Sequence, residues 1–135
     1  NPQYVVANSD AKYDGTRQYA LNKRAQVELT HHWAVTHARI QFLSVHPGWT
    51  DTPGVQSSLP SFYARFKDSL RPVGQGADSV IWAAIAPAAM DVKNGSFIGD
   101  RKVEAEHLLW AGTETHAGDL EKYVQYVKEV AAKFN

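Results

Sequence analysis

The sequence predicts an α/β fold in which helices and strands alternate and the strands run parallel. Two observations predict it. Apolar residues recur at helical spacing in separate stretches, and between those stretches lie short runs of strand formers closed by turn signals. A helix, strand, helix, strand, helix order suits a layered fold whose parallel strands are joined by a right-handed crossover.

Each element has its own local reason. Residues 1–17 are polar apart from Tyr4, Val5, Val6 and Ala7, and Asp14-Gly15 marks a turn, so the opening reads as loop with at most a short strand. Residues 19–34 are helix formers without proline or glycine, and Leu21, Ala25, Leu29 and Trp33 set an apolar stripe on one face. Ile40-Gln41-Phe42-Leu43-Ser44-Val45 is rich in strand formers and is stopped by Pro47-Gly48. Its near-continuous apolarity suits a strand covered on both faces. Residues 53–72 carry Leu59, Phe62, Tyr63, Phe66 and Leu70, spaced for one side of a short helix between prolines. Gly74-Gln75-Gly76-Ala77-Asp78 leads into an apolar helix over residues 79–86, which Pro87 or the stretch after it ends. Asn94-Gly95 turns the chain into a second strand, Ser96-Phe97-Ile98-Gly99. Leu120, Tyr123, Val124, Val127, Ala131 and Phe134 stripe a terminal helix.

Composition narrows the function. With 135 residues and 44% hydrophobic content the chain can bury an ordinary core, so disorder is not expected. Its 14 basic and 14 acidic residues are dispersed and sum to zero, which gives no electrostatic footprint for nucleic acid or an anionic membrane. No apolar run approaches the length of a membrane span, and Asn1-Pro2-Gln3 lacks the start of a signal peptide. A soluble, intracellular protein is the expectation. The absence of cysteine removes disulfide and thiolate chemistry. His31 and His32 are adjacent and face different ways on a helix, and His37, His46, His107 and His116 show no ligand spacing, so no metal site is expected.

Two motifs carry chemistry. Tyr19 and Lys23 stand four apart near the start of the first helix and so share a face. A free phenol, with a pKa of about 10, is a poor base at neutral pH, and a neighbouring ammonium favours the phenolate and poises such a group for proton exchange with an alcohol or carbonyl. On its own the pair also fits a solvated helix face, the commoner explanation of that spacing. The second motif is His46-Pro47-Gly48-Trp49-Thr50-Asp51-Thr52, directly after the first strand. Ligands of open α/β sheets bind beyond the carboxyl ends of strands, where a Pro-Gly turn lets backbone approach a flat ring. Amide groups at Thr50 would meet a carboxamide, and the Thr52 hydroxyl an amide or phosphate oxygen. A strand-ending turn with no ligand remains the alternative.

Tyr-x-x-x-Lys opening a helix, a strand after it and Pro-Gly-x-x-x-Thr at that strand's end resemble the carboxy-terminal half of a short-chain dehydrogenase/reductase. Gly76-Ala77-Asp78 entering a helix and Gly95-Ser96-Phe97 entering a strand fall in the same order, so the resemblance spans nearly the whole chain. It implies one domain half over residues 1–135, with a partial Rossmann-like, doubly wound parallel sheet lacking the first βαβαβ unit. It implies an NAD(P)-dependent oxidoreductase acting on a small-molecule alcohol or carbonyl, with NAD or NADP undetermined. By resemblance Tyr19 is the catalytic acid/base, Lys23 assists it and binds the nicotinamide ribose, and Pro47, Gly48 and Thr50 lie against the nicotinamide. Thr52 would contact its carboxamide or the pyrophosphate. Residues 53–72 would be the substrate-covering loop, with Phe62, Tyr63 and Phe66 walling an apolar pocket unless they belong to the core.

The pattern also breaks. None of the nine glycines forms the family's Thr-Gly-x-x-x-Gly-x-Gly loop, whose bare backbone and helix start receive the pyrophosphate. The family's serine is expected upstream, and Ser9, only ten residues before Tyr19 and with no suitable strand leading into it, reads as surface loop. A sheet of so few strands would leave an apolar edge uncovered. The expectation is therefore a chain inactive alone that is part of a longer polypeptide or pairs with a chain supplying the amino-terminal half. A homo-oligomer formed through the first helix is a further analogy. The alternative function is a non-catalytic interaction subunit that keeps the fold.

Overall fold

The computed structural model describes residues 13–107, 110, 114–116 and 118–134. In chain order the elements are α1 (Gly15–Thr36), β1 (Ser44–His46), α2 (Pro53–Ser58), α3 (Pro60–Phe66), α4 (Val73–Ile85), β2 (Phe97–Gly99), β3 (Lys102–Val103) and α5 (Asp119–Ala131), with short 3₁₀ turns after α3, α4 and α5. The described residues are thus α/β with a small three-stranded mixed sheet. It divides into two compact units, residues 1–42 with 105–135, and residues 43–104.

The first unit holds α1 and α5, which pack on each other. Asp14 is where α1 starts rather than a turn of its own: its carboxylate accepts from the Thr16 and Arg17 N–H groups at 2.9 and 3.1 Å. Such an N-cap satisfies donors that the first helical turn leaves unpaired. Of the expected stripe only Ala25 is buried, beside the polar Gln18 and Glu28, and Trp33 is exposed. Trp33 instead meets Phe42, with ring centroids 5.9 Å apart. On α5, Val124 is buried and Leu120, Tyr123 and Val127 are half-buried, whereas Ala131 faces outward, as does Phe134 in the 3₁₀ turn after it. Polar groups tie the unit together. Arg24 pairs with the buried Glu28 at 2.5 Å and donates to the Glu106 carbonyl at 3.2 Å, while Thr115 donates to Glu28. Nearly dehydrated, Glu28 requires such partners.

The second unit holds the sheet, in the order β1-β2-β3. β1 and β2 are parallel, with Ser44 opposite Phe97 and His46 opposite Gly99. The first strand is three residues long rather than six, and it occupies Ser44–His46. Its register explains why. Upstream of Ser44 the partner residues would be Ser96 and Gly95, and Gly95 is in a turn at φ 90°. Downstream, Pro47 has no N–H to extend a ladder. The burial is partial as well, and among the described residues Ile98 of β2 is the largest fully enclosed side chain.

The antiparallel β3 corrects the expectation of a purely parallel sheet: Ile98 pairs with Val103 and Gly99 with Lys102. The intervening Asp100 and Arg101 adopt left-handed conformations, φ 47° and 61°, as a two-residue hairpin turn demands. Neither is glycine. Side-chain partners hold them, since Arg101 pairs with Asp78, Asp100 pairs with Arg71, and the Arg101 N–H donates to the buried Ser79 hydroxyl at 3.1 Å.

Residues 53–72 form two helices rather than one. Pro60 separates them: Leu59 closes α2 and precedes α3, each helix having proline at its first position. α4 starts at Val73, six residues ahead of the expected start, so that Gly74 and Gly76 lie inside the helix, and it packs against β1.

Candidate functional site

Tyr19 and Lys23 belong to the first unit. Both side chains are on the outside of α1, Tyr19 at 64% exposure, and the Lys23 ammonium lies 5.6 Å from the centroid of the Tyr19 ring. Lys23 also donates to the Gln26 side chain at 3.3 Å. The ammonium therefore sits over the aromatic face, in cation–π range, with one donor turned along the helix. Ser9 lies outside the described residues, as do Tyr4, Val5, Val6 and Ala7.

Pro47, Gly48, Thr50 and Thr52 belong to the second unit, where they form the bend that follows β1. Gly48 has φ 73°, a left-handed conformation that disfavours any side chain. Its N–H donates to His46 Nδ1 at 3.0 Å, which closes the turn around Pro47. Thr50 forms a parallel bridge with Arg71. The bonds are made by its neighbours: Arg71 N–H to Trp49 carbonyl at 2.9 Å and Asp51 N–H to Arg71 carbonyl at 2.8 Å. Because successive residues of an extended segment present their amides to opposite sides, the amide and carbonyl of Thr50 itself point away from Arg71. Thr52 is the N-cap of α2 and accepts from the Val55 N–H at 3.2 Å.

The second side of the bend is packed by residues the motif reading missed. A Cβ on Gly48 would stand 2.6 Å from Arg71 Cζ, and a Cβ on Gly76 would stand 2.4 Å from Thr50 Oγ1. Arg71 and the first turns of α4 thus close in from one side: a further carbon at Gly76 would meet the Thr50 side chain, and one at Gly48 would have to displace the Arg71 guanidinium. Arg71 is fixed in turn by Asp100, through a two-pronged contact whose longer arm is 2.8 Å. That pairing raises the guanidinium pKa of Arg71 above its ordinary value, mainly by hydrogen bonding, and lowers that of Asp100. A polar cleft of about 430 Å³, lined by Arg71, Gly74, Gln75, Asp78 and Asp100, opens beside them.

The aromatic candidates divide. Phe62 stacks on Trp49 of the bend at 4.5 Å between centroids, and Phe66 continues the stack at 4.9 Å from Phe62. Tyr63, next to Phe62 on α3, is half-buried. Trp49 was not singled out from the sequence. Its only signal there was its place inside the Pro-Gly-x-x-x-Thr stretch. Among the described residues no group of three or more His, Asp or Glu side chains could hold a metal ion, and no helix is long and apolar enough to cross a membrane.

Comparison with known proteins agrees with the family resemblance of these motifs. The chain is 48% identical over 122 residues to dehydrogenase/reductase SDR family member 12 of Bos taurus and 45% identical over 122 residues to the protein of that name in Homo sapiens. Each alignment takes in 90% of this chain and 38% of the relative's length. DnrU of Streptomyces sp. (strain C5) matches at 29% identity over 92 residues, 68% of this chain and 32% of that protein. No protein-family model matches, and no solved structure does. The expected likeness to short-chain dehydrogenases/reductases is therefore shown by relatives carrying that family's name.

Proposed function

From 45–48% identity to proteins named as short-chain dehydrogenases/reductases, we propose that this chain supplies the carboxy-terminal half of such a domain and that the complete protein is an NAD(P)-dependent oxidoreductase of an alcohol or carbonyl. The observation that carries the reading is the bend after β1. A left-handed glycine and a Thr50 amide turned away from Arg71 stand at the carboxyl end of a parallel strand, where open α/β sheets receive ligands.

The residues of the bend fit a flat ring bearing an amide. Pro47 and Gly48 offer a surface without side-chain donors, Thr50 offers backbone, and the Thr52 hydroxyl can donate its proton while its lone pair serves the Val55 N–H. A nicotinamide dinucleotide held there would supply or accept hydride. By the family resemblance Tyr19 would give a proton to the substrate oxygen or take one from it, and Lys23 would hold the nicotinamide ribose and set its positive charge beside the phenol. Phe62 and Phe66, stacked on Trp49, wall the substrate side, and the segment 53–72 covers it. A doubly wound sheet is completed by strands of the amino-terminal half, in this polypeptide or another chain, added beside β1. In support, β1 is an edge strand among the described residues, and the chain spans 38% of its relatives' length. The pyrophosphate loop that the sequence lacks would come from that half.

The test is made on the complete protein. Tyr19→Phe should lower turnover by about 10²–10⁴-fold, the range of general acid/base contributions, while dinucleotide binding persists. Unchanged turnover rejects the role of Tyr19. Titration with NAD(H) and NADP(H) decides the rest, since failure of both to bind would favour a non-catalytic interaction subunit.

A further inference from the structure

We infer that Arg71 is a positioning residue for the bend, acting through Gly48 and Thr50, and that Asp100 at the β2–β3 turn holds Arg71 in place. The inference rests on the reading of the bend as the nicotinamide seat. It names what shapes that seat, which no motif in the chain assigns.

Three features converge on Arg71, and two more concern the turn that holds Asp100. Its backbone N–H and carbonyl clip both neighbours of Thr50, at 2.9 and 2.8 Å, so residue 50 cannot rotate without breaking two hydrogen bonds. Its guanidinium lies against Gly48, where a Cβ would come within 2.6 Å of Cζ and 2.7 Å of Nε and Nη1. The same guanidinium forks onto both carboxylate oxygens of Asp100. Asp100 itself sits at φ 47°, a left-handed conformation that the two-residue turn requires and that aspartate adopts more readily than most residues. The hairpin turn is anchored on its other side by Arg101 and Asp78 on α4.

A chain of contacts thus runs from the β2–β3 turn through Asp100 and Arg71 to the bend. Glycine at position 48 has two separate requirements, the positive φ and the guanidinium above it. A planar guanidinium satisfies the second because it is thin and meets a carboxylate with two parallel donors. Lysine reaches the carboxylate with one charge centre and provides no plane to lay on the turn.

Hydrogen exchange and dinucleotide titration of the complete protein test this together. Arg71→Ala should raise amide exchange at Gly48 and Asp51 severalfold, with Val45 and Ile98 in the strands unchanged, and should weaken dinucleotide binding. Arg71→Lys should restore little of either. Gly48→Ala should cost less in the Arg71→Ala background than in the wild type, because only the backbone strain remains once the guanidinium is gone. Unaltered exchange at Gly48 and Asp51, strictly additive effects of the two substitutions, or unaltered dinucleotide affinity beside faster exchange would each overturn the inference. Failure of the wild type to bind any dinucleotide would defeat the proposed function instead, and exchange and additivity would still decide whether Arg71 shapes the bend.

Discussion

Two glycines on the first turns of α4, two residues apart, should respond oppositely to the same substitution. Gly74 has no heavy atom within 4 Å of a built Cβ. Gly74→Ala should therefore stabilise the protein by about 0.4–1 kcal/mol, chiefly by restricting the unfolded chain. Gly76→Ala gains a comparable benefit, at most about 1 kcal/mol of helix propensity. Its new carbon, however, would stand 2.4 Å from Thr50 Oγ1, 2.8 Å from Cγ2 and 3.1 Å from Cβ. Thr50 is 9% exposed and its neighbours are bonded to Arg71, so it has little room to withdraw. Overpacking of this kind costs about 1–3 kcal/mol, and with the clash at its three atoms the upper part of that range applies, leaving a net loss of about 1–2 kcal/mol. Denaturant unfolding of both variants reads the sign directly. Thr50→Ala placed in the Gly76→Ala background removes Oγ1 and Cγ2 and should recover most of the loss. Should Gly76→Ala prove as stabilising as Gly74→Ala, the close approach of α4 to the bend is wrong, and with it the packing that fixes Thr50.

Two further outcomes follow from the same contacts. Thr52→Ala removes the N-cap of α2 and should cost about 1 kcal/mol in unfolding experiments, whereas Thr52→Ser keeps the acceptor and should stay near the wild type; a serine variant as unstable as the alanine one would contradict the cap. Asp78 and Asp100 are held below the ordinary carboxyl value of 3.8, chiefly by hydrogen bonds from Arg101 and Arg71. Because their folded pKa values are depressed, the stability they contribute is present above that value and is lost as pH falls through it toward the folded values. Asp100→Asn should accordingly flatten the acid limb of a stability–pH curve, and a limb of unchanged steepness would remove the Arg71 pair from its causes.

What was legible in the sequence was whatever repeats along the chain or is punctuated within it. The Tyr19–Lys23 spacing follows from the helical period, and Pro47-Gly48 announces a turn from its own chemistry. The likeness to short-chain dehydrogenases/reductases came from the same residues, and relatives at 45–48% identity bear it out. Local patterns failed where the deciding partner was distant. Ile40 to Leu43 have strand character, yet the ladder opposite them is cut off by the turn at Gly95. β3 went unseen because its turn is Asp100-Arg101, without glycine, and is held by Arg71 and Asp78 from other elements. Gly76 read as a lead into a helix because glycine is a poor helix former, whereas it stands inside α4 to admit Thr50.

The same distance dependence separates the roles of the residues around the bend. Motif residues are those whose backbone must take one shape: Gly48 for its positive φ, and Thr50 for an amide turned away from Arg71. The groups that impose the shape need only reach it, and can do so from any point of the chain. Arg71 comes 23 positions after Gly48 and Asp100 a further 29 beyond, so no spacing rule joins them. A guanidinium is nonetheless chemically suited to the task, since it is permanently charged, planar and forked toward a carboxylate. The shape of the bend can therefore be altered without substituting a motif residue, by variants at Arg71 or Asp100.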